Sequence, residues 1–78
     1  MTVILDAHRM QDRRAAHRYL KRELAPYSGE NLDALYDALT TLTDAQVAFE
    51  NVPASGYFQR VLRVFQDAAA QNPGLILL

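Results

Sequence analysis

Two carboxylates and two hydroxyl-bearing side chains recur at helical spacing near the middle of the chain. Asp33, Tyr36, Asp37 and Thr40 are three or four residues apart, so a helix would place them on one face. Asp33 and Asp37 repel each other as i,i+4 neighbours, and neither has a Lys or Arg three or four positions away. Such a face is either simply solvated or kept acidic because a cationic partner docks on it.

Other chemistry has little support. The sequence contains no Gly-rich phosphate loop, no HExxH motif and no cysteine nucleophile. His8 and His17 lie on a predicted turn and a predicted helix, have no fixed acidic partner in sequence and are expected at the surface. Asp33 and Asp37 alone are too few ligands for a metal site. We therefore predict that the protein is not an enzyme and has no catalytic residue, no metal site and no cofactor.

A basic stretch offers a different binding chemistry. Arg14, Arg18 and Lys21 share one face of a predicted helix, with Arg13 and Arg22 beside them, and such a patch can contact phosphates. No aromatic residue interleaves with it, and the isoelectric point of about 6.0 is low for this role. A solvated face that complements the acidic middle of the chain is the favoured interpretation, and RNA binding stays open as an alternative.

Charge is unevenly distributed along the chain, although the formal net charge is only −1. Residues 1–23 carry six basic and three acidic side chains, whereas residues 24–59 carry five acidic side chains and no Lys or Arg. Residues 60–78 carry two Arg and one Asp. The surface is therefore expected to be polarised, and a polarised field steers association with a charged partner.

Size and composition predict one small domain over residues 1–78. Half of the 78 residues are hydrophobic, and there is no cysteine for a disulfide or a thiolate metal site. The apolar run at residues 3–5 is too short for a signal peptide, and no run approaches the roughly 18 apolar residues of a membrane span. These features predict a cytoplasmic location and no membrane partner.

Hydrophobic patterns predict the element order β-α-α-β-α-β. The predicted elements are a strand at 2–5, a helix from N-cap Asp12 to about Leu24, a helix at 32–41 with N-cap Asn31, a strand at 46–51, a helix at about 58–71 capped by Ser55, and a strand at 75–78. The first strand is a β-branched, apolar run and the last consists of four apolar residues, so both are expected to be buried on both faces. Strands separated by helices pair in parallel, which predicts an α/β fold with a two-layer, three-stranded parallel sheet and about three helices.

Residues 20–40 resemble the central motif of the barstar family, the intracellular inhibitors of secreted bacterial ribonucleases. The resemblance is carried by Leu20-Lys21-Arg22-Glu23-Leu24-Ala25 and Tyr27-x-Gly29-Glu30-Asn31-Leu32-Asp33-Ala34-Leu35-Tyr36-Asp37-x-Leu39-Thr40. The chain departs from the family pattern at Tyr36, where the family has Trp, and at Ser28, where it has a second Tyr. It is also two residues shorter between Ala25 and Tyr27.

The resemblance implies that the motif helix and the preceding loop occlude the cationic active site of a guanyl-specific, barnase-like microbial ribonuclease of the extracellular type. The implied partner-binding residues are Tyr27, Gly29, Asn31, Leu32, Asp33, Tyr36, Asp37, Thr40, Val64 and Asp67. Asp37 would enter deepest, while Tyr27 and Tyr36 would stack against the cleft walls. No nucleic acid or small-molecule partner is expected. An immunity protein against another nuclease toxin is an alternative within the same class.

Overall fold

The computed structural model describes residues 1–25 and 27–78, which form a three-stranded parallel sheet covered by helices on one face. Its elements are β1 (Thr2–Asp6), the 3₁₀ helix η1 (Ala7–Met10), α1 (Arg13–Glu23), α2 (Leu32–Thr40), β2 (Ala45–Glu50), α3 (Tyr57–Gln71) and β3 (Leu75–Leu77). The β-α-α-β-α-β order and the parallel strand pairing confirm the predicted fold class.

The strands lie in the order β1-β2-β3. Leu5, Val47 and Leu75 point into the core and are at most 3% exposed. Ile4 on β1 and Ile76 on β3 lie on the opposite face and are 62% and 49% exposed. The prediction that β1 and β3 are buried on both faces is therefore wrong. Successive right-handed crossovers in one direction place every helix on the same side of the sheet, and β2 occupies the centre.

Polar side chains begin two of the helices as the sequence predicts. Asp12 and Asn31 each accept a hydrogen bond from the backbone amide three residues later, at 2.9 and 2.8 Å, and so start α1 and α2. The predicted Ser55 cap of α3 is wrong. Gly56 occupies the N-cap position with φ +104° and makes no side-chain cap bond, a conformation that glycine adopts without steric cost.

The core lies between the sheet and the helices, where the apolar sides of the helices meet the inward side of the strands. Leu35 and Leu39 on α2 and Phe58 and Phe65 on α3 are fully buried. The ring of Phe49 on β2 contacts both phenylalanines edge-on, with centroids 5.2 and 5.1 Å apart. Helix α2 packs directly against α3, so the polar face of α2 is held on a rigid support. None of the helices in residues 1–25 and 27–78 is long and apolar enough to cross a bilayer.

Candidate functional site

Helix α2 presents its two carboxylates to solvent. Asp33 and Asp37 are exposed, whereas Tyr36 and Thr40 beside them are half-buried. The ion pairs formed by the described residues include neither aspartate. The hydroxyl of Thr40 donates to the backbone oxygen of Asp37 at 2.9 Å, which leaves the carboxylate itself free. Both carboxylates of α2 are therefore exposed, and no cation among the described residues forms an ion pair with either.

The N-terminal end of the polar face of α2 borders a cleft formed by residues of α1, α2 and α3. The cleft has a volume of about 320 Å³ and is lined by Arg13, Asn31, Leu32, Asp33, Tyr57 and Arg60. Arg13 comes from α1 and Arg60 from α3, so the sequence motif alone gave no signal for either. The surroundings of the two carboxylates therefore differ. Asp37 has no ion-pair partner among the described residues, whereas Asp33 shares its cleft with Arg13 and Arg60.

Helix α3 contributes the two predicted residues that lie outside the motif. Val64 is half-buried and Asp67 is exposed, on the helix that packs against α2. The Nε atom of Arg63 lies 3.7 Å from Oδ1 of Asp67, one turn along the same helix. Asp67 is therefore partly neutralised, in contrast to Asp37.

The loop before α2 is held tightly against that helix. A Cβ added at Gly29 would overlap the Cβ of Ala34 and lie 3.0 Å from a ring carbon of Tyr27. Glu30 is tied to α1 because Nζ of Lys21 lies 3.0 Å from its carboxylate, and that hydrogen bond holds the pKa of Glu30 below its ordinary value. Gly29 therefore lets the backbone approach α2 more closely than any other residue would.

Beneath this loop lies a cluster formed by the buried His17 and Tyr27 and the half-buried Tyr57, here called the His17 cluster. His17 is 2% exposed, with Nδ1 2.7 Å from the Tyr27 hydroxyl and Nε2 2.7 Å from the Tyr57 hydroxyl. The Tyr27 hydroxyl also donates to the backbone oxygen of Asn31 at 3.2 Å. The prediction of a surface His17 is therefore wrong. Tyr27 is only 4% exposed, so its ring is not free to stack on a partner and instead supports the loop.

The electrostatics of the His17 cluster keep its members neutral near pH 7. Burial lowers the pKa of His17, and the charges of Arg13 and Lys21 lower it further. Burial raises the pKa of Tyr27 to about 12 and also raises the pKa of Tyr57. Within residues 1–25 and 27–78, no three His, Asp or Glu side chains are grouped so that they could hold a metal ion. The cluster is thus a set of neutral hydrogen-bonding groups.

The basic face of α1 borders a separate groove. The groove has a volume of about 440 Å³ and is lined by Arg13, Arg14, His17, Arg18, Lys21 and Glu30. On the other side of α1, the guanidinium groups of Arg9 and Arg22 lie 5.4 and 5.7 Å from the ring centroid of Tyr19. An aromatic residue therefore does lie among the basic side chains, contrary to the prediction. Tyr19 is only 9% exposed, so it offers little surface for a base to stack on.

These features define an α/β domain that presents an exposed acidic helix on a rigid helical support. A family model described as Barstar (barnase inhibitor) matches residues 1–75. The chain therefore belongs to the barstar family, a family of ribonuclease inhibitors and not of enzymes. The match confirms the resemblance seen in residues 20–40 and extends it over nearly the whole chain. A comparison with curated proteins found no match.

Proposed function

We propose that this protein inhibits a microbial, guanyl-specific, barnase-like ribonuclease by covering its active site with α2 and the loop before it. The observation that carries the proposal is the exposed Asp37 carboxylate, which no described cation pairs. Asp33 lies one turn away and repels it. Such repulsion lowers the stability of the free helix, and a cationic partner would relieve it.

The chemistry of a ribonuclease explains why carboxylates would suit an inhibitor of its active site. A ribonuclease must hold the phosphates of RNA, so its active site is cationic, and rigidly held carboxylates can occupy the positions of those phosphates. In the proposed complex Asp37 enters deepest and Asp33 meets cations at the edge. Tyr36 is half-buried and supplies an aromatic contact of the kind enriched at binding hot spots.

The other proposed contacts surround these three residues. The loop would bring its backbone close to the ribonuclease, and helices α2 and α3 would add side-chain contacts. These further contact residues are Gly29, Asn31, Leu32, Thr40, Val64 and Asp67. Tyr27 acts through the position of the loop, because its ring is buried. Such an inhibitor would act in the cytoplasm, where it would protect the cell from its own nuclease before secretion. An immunity protein against another nuclease toxin would use the same site.

The test of this proposal is the substitution Asp37→Ala. Removing the carboxylate relieves the repulsion with Asp33, so the melting temperature should hold or rise slightly, in line with a few tenths of a kcal/mol. In the complex it would leave buried ribonuclease cations unpaired, which costs about 2–5 kcal/mol, a range that draws in part on complexes of this same family. The affinity should therefore fall roughly 30- to several thousand-fold.

The measurements are a thermal melt and a titration of barnase, read by residual RNA cleavage. Glu50→Ala is the matched control, because it removes an exposed carboxylate at the end of β2, away from α2. The control should inhibit as the wild type does. Equal inhibition by Asp37→Ala and the wild type would mean that the acidic face is merely solvated and that the proposed mechanism is wrong.

RNA binding by α1 is the second candidate function. The groove beside α1 contains Arg14 and Arg18, and neither belongs to an ion pair among the described residues. Lys21 in the same groove is paired with Glu30, which weakens the candidate. Charge reversal on α1 separates the two functions, as argued below for the molecule as a whole.

A further inference from the structure

The His17 cluster connects three separate parts of the chain. His17 belongs to α1, Tyr27 to the loop before α2, and Tyr57 to the first turn of α3. Two contacts of 2.7 Å join the imidazole to the two hydroxyls, and a third of 3.2 Å joins Tyr27 to the backbone of Asn31. No buried side-chain nitrogen or oxygen in the described residues lacks a hydrogen-bond partner.

Donor and acceptor capacities give this chain of hydrogen bonds one direction. The Asn31 carbonyl can only accept, so the Tyr27 hydroxyl donates its proton there. The Tyr27 oxygen must then accept from Nδ1–H of His17. A neutral imidazole carries one N–H, which makes Nε2 an acceptor for the hydroxyl of Tyr57. The chain therefore runs from Tyr57 through His17 and Tyr27 to Asn31.

This chain of hydrogen bonds ends at Asn31, the N-cap residue of α2. Asn31 caps α2 through its side chain, and its backbone oxygen also accepts from the amide of Leu35 at 3.1 Å. The Tyr27 amide also donates to the backbone oxygen of Leu24 at 2.8 Å. The other side-chain ties that the described residues make on the loop involve Glu30, which pairs with Lys21 at the surface and accepts a 3.4 Å bond from Arg13. Exposed ion pairs contribute little to stability, so the chain of hydrogen bonds, whose His17–Tyr27 link is buried, is the principal side-chain tie on the loop.

We propose that Tyr57 is a positioning residue for partner binding. Its hydroxyl donates to Nε2 of His17 and so orients the imidazole, which through Tyr27 holds the loop before α2 in the conformation that receives a ribonuclease. The effect on binding rests on the function proposed above, whereas the effect on the loop of the free protein does not.

Tyr57→Phe tests the proposal by removing one oxygen and keeping the ring. Without that donor Nε2 of His17 loses its partner, the imidazole is no longer held at that end, and the loop adopts the binding conformation only part of the time. The association rate falls in proportion to the competent fraction, while dissociation is set by contacts already formed. With barnase we expect association to slow about tenfold, corresponding to a competent fraction of roughly one tenth, and dissociation to change by less than about twofold.

Tyr19→Phe is the matched control. The Tyr19 hydroxyl accepts a 2.8 Å hydrogen bond from the backbone amide of Asp6 and takes no part in the chain. Like Tyr57→Phe, this variant removes a tyrosine hydroxyl from a part-buried hydrogen bond, so the melting temperature should fall while the association rate is unchanged. Equal slowing in both variants would reflect general destabilisation and would overturn the proposal.

The free protein provides readouts that need no ribonuclease. The Nδ1–H form of His17 should persist in Tyr57→Phe, because the acceptor at Asn31 is kept. The ¹⁵N shift of Nε2 should move toward that of a nitrogen without a hydrogen bond, and amide exchange over residues 28–31 should accelerate. An unchanged Nε2 shift or unchanged exchange overturns the proposal. If the wild type fails to inhibit barnase, the proposed function fails, but these two measurements still decide the role of Tyr57.

A second variant guards against a failure to fold. Tyr27→Phe removes the two links between His17 and Asn31 and should give the same slowing of association and the same faster exchange. The double variant Tyr27→Phe/Tyr57→Phe should bind no more slowly than either single variant, because the chain is already broken. Additive slowing would show that the two hydroxyls act independently and would overturn the proposal.

Discussion

His17 shows how one buried side chain can depend on several elements. It follows the fully buried Ala16 and precedes the fully buried Leu20 by three residues. That spacing puts His17 on the inward side of α1 and is the signal that could have predicted its burial. The arginines around it point instead to a surface helix, and the two tyrosines that satisfy its nitrogens are 10 and 40 residues away.

The burial of His17 predicts a pH dependence of stability. Its pKa in the folded protein lies below the ordinary value of 6.5, because of burial and then of the nearby charges of Arg13 and Lys21. Between the folded pKa and about 6.5 the unfolded chain therefore binds more protons than the native protein. The free energy of unfolding should be constant with respect to this group above about pH 6.5 and should fall as the pH drops below it.

Thermal melts between pH 7.5 and pH 5 (about one to two units around the ordinary histidine pKa) check this expectation. The variant His8→Gln removes the exposed histidine of η1 and should keep the same decline. The variant His17→Gln should be less stable at pH 7.5 but should have a flatter profile through the histidine range. A wild-type decline that persists in His17→Gln would assign the pH dependence to other groups.

The contact between the loop and α2 limits how the acidic helix can be presented. Gly29 lies where any Cβ would overlap that of Ala34 in the first turn of α2. Gly29→Ala should therefore push the loop away from α2 and displace the residues that are proposed to contact the ribonuclease. We expect inhibition of barnase to weaken by about tenfold or more, comparable to the 1–3 kcal/mol typical of overpacking.

A compensating substitution separates this contact from other effects. Ala34→Gly removes the methyl group that Gly29→Ala would strike, at a helix-propensity cost of about 1 kcal/mol. The double variant should inhibit better than Gly29→Ala alone, although the Tyr27 ring remains close to the new methyl group. No recovery would indicate that the overlap with Ala34 does not control the loop.

Local sequence patterns predicted where helices begin more successfully than they predicted which side chains are buried. Asp12 and Asn31 act within one turn of their own helices, so a short window of sequence suffices to identify them. Burial of Ile4 depends instead on whether a helix covers the second face of the sheet, which is decided by crossovers many residues away. The same limit applies to the site. Asp33 and Asp37 follow from helical spacing, whereas the burial of Tyr27 depends on elements distant in sequence.

The whole molecule carries its charges on different helices. Free carboxylates line α2, while α1 carries Arg14 and Arg18 on a face with no ion pair to either among the described residues. A cationic ribonuclease approaching α2 would be attracted by one helix and repelled by the other. At physiological salt the Debye length is about 8 Å, so the repulsion weakens with distance from α1 but acts during the encounter.

The charge reversal Arg14→Glu/Arg18→Glu distinguishes a solvated face from a binding face. If α1 is only solvated, reversing two charges removes repulsion and makes the field more negative, so association with barnase should become faster, by up to about tenfold at low salt. The dissociation rate should hardly change, and the acceleration should shrink as salt is added.

If α1 binds RNA, the wild type should bind labelled RNA with an affinity that falls steeply with salt, and the variant should lose this binding. Slower inhibition together with lost RNA binding would make α1 the functional face and would contradict the placement of the site on α2.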